Sequence, residues 1–477
     1  MLFNSLVFFV FLFLTVIVYY LPILKKYQVQ ILILASGVFY GYSQCLLLLL
    51  LMFSASINAV TSYFVYYHNK QAYRRLWAVS GVAANLLVLV FFKYNKLVGS
   101  SIYGDFSNLE GLGAYFLMLP LPVGISFYTF QGISLVVDVF RSSNQDHGPA
   151  RHTVQIDRSF PLHYKKIFFY IVFFPQLVAG PIVKAYEFLP QIKPKLLNQI
   201  EWDFVIKNLI LGYFLKVVIA DNLKDQTFFI AYPFFQGYSS LNLMTFLFGF
   251  SIQIFSDFAG YSFIAIGVAA LFGYKLPQNF NFPYISKSFS EFWRRWHISL
   301  SSWLKEYLYI GLGGNRKGKV MTYVNLFLVM FFGGLWHGAA WGYAVWGMWH
   351  GVALAVERFF SKKKNKKDNF ILQFVKICFV FLFLSFAWPM FILPEIKQAI
   401  MYFQAISENF HLRPNLTIII AIIFFSIPVA VFHVYYLIKQ NYKFQYFRTL
   451  EYWAYGGMLF LLTISGGSPG KFIYFQF

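Results

Sequence analysis

MLFNSLVFFVFLFLTVIVYYLPIL (residues 1–24) carries no charged side chain and is followed at once by Lys25 and Lys26. A continuous apolar run of this length is long enough to cross a bilayer as a helix. It has no basic leading region and is too long for the core of a secretory signal, so it reads as a retained first span. Basic residues directly after a span favour the side facing the cytoplasm, which puts the N-terminus outside.

The rest of the chain is built in the same way. It has 477 residues, of which 59% are hydrophobic and only 12% charged. Soluble domains carry roughly 25% charged residues, and a chain this apolar could not cover a water-facing surface. In lipid, helices that are apolar all round are expected. Aromatic residues make up 22% of the chain; Tyr and Trp of this kind gather at the two membrane interfaces. The net charge of +21 fits Lys- and Arg-rich cytoplasmic loops. It does not point to nucleic acid, because no soluble domain is present to carry such binding. Cys45 and Cys378 both lie in apolar runs. Neither a disulfide framework nor a cysteine metal motif is expected, and no metal site is read from the sequence.

Apolar runs recur near residues 1–24, 28–43, 44–66, 77–97, 114–140, 203–221, 238–271, 320–335, 337–359, 369–391, 415–437 and 449–466. They predict an all-α, polytopic membrane protein with about eleven or twelve crossings. No repeat or composition shift marks a second domain, so one domain over residues 1–477 is expected. With these spans, the basic clusters at Lys25/Lys26, at Lys70 with Arg74/Arg75, and in 141–166, 275–319, 362–367 and 439–448 fall on one side. The loops near 98–113 and 391–414 carry few basic residues and fall on the other.

Two segments are neither clean spans nor ordinary loops. In IVFFPQLVAGPI (171–182), Pro175 and the Gly180-Pro181 pair interrupt membrane-like sequence. Irregular backbone at that depth needs protein or a water-filled cavity to satisfy it, so a re-entrant segment is expected, with a kinked helix as the plainer reading. In SFSEFWRRWHISLSSWLKEYL (288–308), Ser288 and Glu291 have capping-box spacing. Phe289, Phe292, Trp296, Leu300, Trp303 and Tyr307 form one apolar face at helical spacing. This predicts a helix lying in the membrane interface. The basic loop GLGGNRKGK (311–319) follows it.

Ionisable groups inside a span are costly and therefore point to function. His337, in FFGGLWHGAAWGYAVWGMWHG (331–351), is flanked by Gly333, Gly334, Gly338, Ala339 and Ala340. Small neighbours let a ligand or another backbone come close. An imidazole can take a proton from a hydroxyl near neutral pH; a packing histidine between helices is the equal alternative. His350 follows thirteen residues later, about 220° around a continuous helix, so it is expected in a supporting role. Asp257, in SIQIFSDFAGYSFIAIG (251–267), is the other outlier. It would orient a histidine, bind a substrate hydroxyl or form a structural ion pair. Arg294 and Arg295 would meet phosphates of a donor or lipid headgroups.

Taken together, PVGISFYTFQGISLVVDVFR (122–141), FFPQLVAGPI (173–182), NFPYISKSFSEFWRRWHISLSSWLKEYLYIGLGGNRKG (281–318) and FGGLWHGAAWGYAVWGMWHG (332–351) are a specific set of strings. Through them the chain resembles the membrane-bound O-acyltransferases, and within them the bacterial alginate O-acetyltransferase membrane subunits. The likeness is plain over about residues 120–360, and the closing FIYFQF (472–477) also resembles that branch. The resemblance implies a ring of helices around a thin centre, entered by funnels from both sides, with the family's embedded histidine falling on His337. It implies an acyl thioester donor, acetyl-CoA in this branch, with no bound cofactor. It also implies an extracytoplasmic acetyltransferase partner, a polysaccharide acceptor and a place in the bacterial cytoplasmic (inner) membrane. Relatives often read DFSGYSD where this chain has DFAGYSF, so Phe263 stands in place of a frequent carboxylate.

The mechanism expected from this is acetyl transfer with His337 as general base. Arg294, Arg295, Arg316 and Lys317 would steer the donor phosphates at the cytoplasmic mouth, and the small residues beside His337 would leave room for both substrates. The alternatives are D-alanyl transfer from a carrier protein to teichoic acid, a transporter of the donor without chemistry, and a scaffold for the extracellular acetylase.

Overall fold

The computed structural model describes residues 1–43, 45–103, 120–143, 153–360, 369–393, 395–441, 447–468, 470 and 472. The basic run 362–367, most of the loop 98–113, and parts of the segments 141–166, 439–448 and 472–477 lie outside the described residues.

Every regular element among the described residues is helical. The first part of the chain forms α1 (Leu6–Tyr20), α2 (Gln28–Gly41), α3 (Cys45–Tyr67), α4 (Gln71–Tyr103), α5 (Ile125–Ser143) and α6 (Phe160–Val172). Next come α7 (Trp202–Tyr213), a π-helical stretch (Phe214–Ala220), α8 (Asp221–Thr227) and the long α9 (Ser240–Leu271). Two short helices follow, α10 (Phe289–Arg295) and α11 (Ile298–Trp303). The remaining helices are α12 (Gly318–His337), α13 (Trp341–Phe360), α14 (Phe370–Ser385), α15 (Trp388–Ile392), α16 (Ile396–Glu408), α17 (Leu416–Asn441) and α18 (Phe447–Ile464). A helix thus occupies each apolar run read from the sequence. Six of the described helices are long and apolar enough to cross a membrane, or seven if the bent pair Leu6–Tyr20 and Pro22–Gly41 is one span. The other runs form helices that are shorter or more polar. Large apolar side chains such as Leu6 (78% exposed) and Phe370 (82% exposed) project outward from these helices, as lipid-facing positions do.

The chain gathers into two compact units: Met1–Asn208 with Ile264–Pro277, and Leu209–Phe263 with Gln278–Phe477. The helix α9 contributes to both.

In the first unit, α3 packs against α4, α5 and α6. Hydrocarbon offers no partner for polar groups, and here they find one another. Asn58 and Asn85 exchange amide hydrogen bonds of 3.2 and 2.9 Å. Gly132 of α5 lies directly on this pair, since a Cβ there would fall 2.4 Å from Asn58 Nδ2. The segment 171–182 does leave the helix, at Phe173, and is buried throughout. Protein meets two of its polar groups: Ser36 Oγ accepts from the Phe174 N–H at 3.1 Å, and Gln176 Nε2 donates to the Tyr170 carbonyl at 2.6 Å.

In the second unit, the interfacial helix expected over 288–308 starts where its cap predicts. Ser288 Oγ accepts from the Glu291 N–H at 3.1 Å. The helix then breaks at His297, which adopts a left-handed conformation with φ 42°, before resuming as α11 and a π-helical turn over Leu304–Tyr309. The cause is Asn279. Its carbonyl accepts from the Ile298 N–H at 2.9 Å and its side-chain oxygen accepts from Ser299 Oγ at 2.7 Å. A through-running helix would forfeit these bonds.

Candidate active site

His337 is the last residue of α12. The helix ends there because Gly338 is fully extended, and α13 begins after three intervening residues, at Trp341, and folds back on α12. Two glycines set the spacing of that hairpin. A Cβ on Gly334 would lie 2.2 Å from the Tyr343 carbonyl oxygen, and one on Gly347 would lie 2.3 Å from that of Met330. A Cβ on Gly338 would likewise strike the Tyr343 ring at 2.2 Å. The expectation that these small residues leave room for substrates is therefore corrected at Gly334 and Gly338. Their space is filled by α13, and they serve close helix packing.

The His337 ring is 7% exposed and stands in an aromatic box. The Trp336, Trp346 and Phe391 centroids lie at 5.1, 5.3 and 5.3 Å. A second imidazole shares this box. The His297 ring is fully buried, 4.6 Å from Phe258 and 5.9 Å from Trp336. Burial, and then the neighbouring His337, hold His297 well below the usual imidazole range. Burial thus disfavours its charged form.

The model of the MBOAT, membrane-bound O-acyltransferase family, matches residues 32–393. The chain belongs to the membrane-bound O-acyltransferase family. It is 35% identical over 388 residues to a peptidoglycan O-acetyltransferase of Helicobacter pylori, covering 77% of this chain and 72% of that protein. It is 36% identical over 416 residues to a probable alginate O-acetylase, AlgI, of Pseudomonas aeruginosa, covering 85% of this chain and 74% of that one. A teichoic acid D-alanyltransferase of Bacillus subtilis is 29% identical over 254 residues, covering 51% of this chain and 60% of that one. As a member of this family the protein is a multi-pass membrane O-acyltransferase.

His350 comes close to the same box in this O-acyltransferase. Its ring lies 4.6 Å from Trp346 and 5.2 Å from Trp293, so Trp346 touches both His337 and His350. The wheel argument that separated the two histidines fails because α12 ends at His337 and α13 is a separate helix. Asp257 is brought to a cation instead of an imidazole. Lys216 Nζ sits 2.7 Å from Asp257 Oδ1 and 2.7 Å from Asp221 Oδ1, with all three side chains buried. The Phe472 ring covers that ammonium at 4.5 Å, which gives the first residue of the closing motif a place. Phe263, at the position of the frequent family carboxylate, packs against the hydrophobic core of this unit.

The four basic residues expected at the donor differ in their freedom. Arg295 is tied down: its Nε pairs with Glu291 at 2.9 Å and its Nη1 donates to the Asn281 carbonyl at 3.0 Å. Arg294, Arg316 and Lys317 are exposed.

Sequence reasoning passed over His297, Asn279 and Lys216. Lys216 carried the signal already used for His337, an ionisable residue inside an apolar run. His297 was masked by the helical wheel drawn through it, which the break at that residue invalidates.

Proposed function

We propose that this chain takes an acetyl group from a cytoplasmic thioester, acetyl-CoA, and passes it across the membrane for O-acetylation of an extracytoplasmic polysaccharide. The observation that carries this reading is the buried His337 imidazole at the end of α12, boxed by aromatic rings beside the buried His297. In this scheme an unprotonated His337 nitrogen removes the proton of an incoming hydroxyl. The hydroxyl oxygen attacks the thioester carbonyl, the carbon–sulfur bond breaks, and the thiolate leaves with the proton held by the imidazolium. Closely packed aromatic rings exclude water that would hydrolyse the donor. Exposed Arg294, Arg316 and Lys317 steer the donor's phosphates, and Trp346 links His350 to the reacting histidine as a support. The hydroxyl belongs to an extracytoplasmic acetyltransferase partner or to the sugar itself. We place the chain in the bacterial cytoplasmic (inner) membrane as one membrane domain with its N-terminus outside, in keeping with the basic residues at Lys25 and Lys26.

The likeness to the peptidoglycan and alginate enzymes covers more of the chain than that to the D-alanyltransferase, which favours acetyl over D-alanyl. The test is acetyl transfer from radiolabelled acetyl-CoA by purified protein and by His337→Ala. The wild type should release CoA and transfer label, and the variant should insert normally and do neither. Full transfer by the variant would reject His337 as the base. Donor transport by wild type without thioester cleavage would replace the enzyme with a transporter.

A further inference from the structure

A narrow slot runs along the side of α13 in the second unit, walled by residues Val345 to Phe360 of α13, by α14 and by the start of α10. Its volume is about 620 Å³. Fifteen helical steps along α13 cover about 22 Å, a length that suits an extended hydrocarbon chain lying against the helix.

The walls face outward and are apolar. Val352 is 52% exposed and Phe360 is 73% exposed. One end of the slot is different. There Lys287 Nζ donates to Gln373 Oε1 at 2.8 Å, and among the described residues no carboxylate pairs with it. Glu357 lines the same end but is engaged elsewhere: its carboxylate accepts from the Phe289 and Ser290 N–H groups and from the Ser290 hydroxyl. An ammonium with donors to spare thus stands at the mouth of an apolar groove on the outward side of a helix of a membrane protein. Basic pockets between membrane helices recognise anionic lipid headgroups.

We propose that this slot binds an anionic glycerophospholipid, with one acyl chain along α13 and the phosphate at Lys287. The bound lipid bridges α13, α14 and the first turn of α10. The adjoining face of α13 carries Trp346 and His350, and α10 carries Trp293, so the lipid braces the helices that build the aromatic box.

The test uses the full chain, delipidated in detergent and offered equal phosphatidylglycerol and phosphatidylcholine, with retained lipid read by native mass spectrometry. Wild type should prefer phosphatidylglycerol by about fivefold, the effect of one lysine near an anionic phosphate. Lys287→Gln should abolish the preference. Val352→Trp, which fills the slot from a lipid-facing position, should abolish retention of either lipid, and Val356→Trp provides a second filling variant if the first does not fold. Equal retention by wild type, a preference that survives Lys287→Gln, or retention by a folded slot-filling variant would each overturn the proposal. So would selective retention of a polyprenyl phosphate over phosphatidylglycerol, which would assign the slot to a different lipid class.

Discussion

His297 Nδ1 lies 3.2 Å from Asn279 Oδ1. That oxygen also receives the Ser299 hydroxyl and N–H, so it acts only as an acceptor and Nδ1 carries the proton. The Nε2 lone pair of His297 is thereby fixed within the box that holds His337. A tautomer chosen by a neighbour is a common way to set the role of an imidazole. Asn279→Ala should remove this control and leave buried donors without a partner. We expect a stability loss of about 1–3 kcal/mol together with a fall in acetyl transfer. Asn279→Asp, which keeps the acceptor oxygen, should recover more transfer than Asn279→Ala. Thermal unfolding and transfer assays on both variants check this, and equal activity of the two would dismiss the tautomer argument.

Lys216 joins Asp221 and Asp257 inside the second unit. Removing one member of a buried ion group leaves a charge uncompensated, at a cost of about 3–5 kcal/mol. Lys216→Met should therefore lower the melting temperature strongly, and adding Asp257→Asn should recover part of the loss. Asp257→Asn alone should lower stability and transfer together. Lost transfer at wild-type stability would instead give Asp257 a direct part in the chemistry.

Gly334 and Gly333 are neighbours with different surroundings. A Cβ at Gly334 would meet a backbone oxygen at 2.2 Å, whereas at Gly333 it would meet only the flexible Leu304 Cδ1 at 3.1 Å. Gly334→Ala should push α12 and α13 apart and cost about 1–3 kcal/mol or more. Gly333→Ala should be close to neutral. Melting curves of the two proteins decide, and equal melting temperatures would refute the packing role.

Arg294 and Arg295 are adjacent but not equivalent. Arg295→Gln breaks a charge-assisted bond to Glu291 and one to the Asn281 carbonyl, and should cost about 1–3 kcal/mol. Arg294→Gln should leave stability unchanged and raise the KM for acetyl-CoA, most clearly at low salt where exposed charges are least screened. An unchanged KM would remove Arg294 from donor steering.

Several features were legible before any coordinates. The apolar runs gave helices, Ser288 gave a helix start, and Pro175 with Gly180-Pro181 gave a broken segment. The rule that ionisable groups in a span are exceptional pointed to His337 and Asp257 as outliers, and applied to the run 203–221 it would have exposed Lys216 too. The wheel through 288–308 named the buried face of Phe292, Trp296, Leu300 and Trp303, but it assumed one continuous helix and so hid the break at His297.

By itself the sequence determined that this is an all-helical membrane protein of the O-acyltransferase family. Hydrophobic run length answers directly to bilayer thickness, and the family strings are contiguous in the chain. Only the tertiary structure decided which polar groups meet. Asn279 with His297, Lys216 with Asp257, and Trp346 of α13 with His337 of α12 are contacts between separate segments of the chain. Hydrocarbon forces buried polar groups to find partners, but helix ends and close glycine crossings choose which, and neither follows from the order of residues alone.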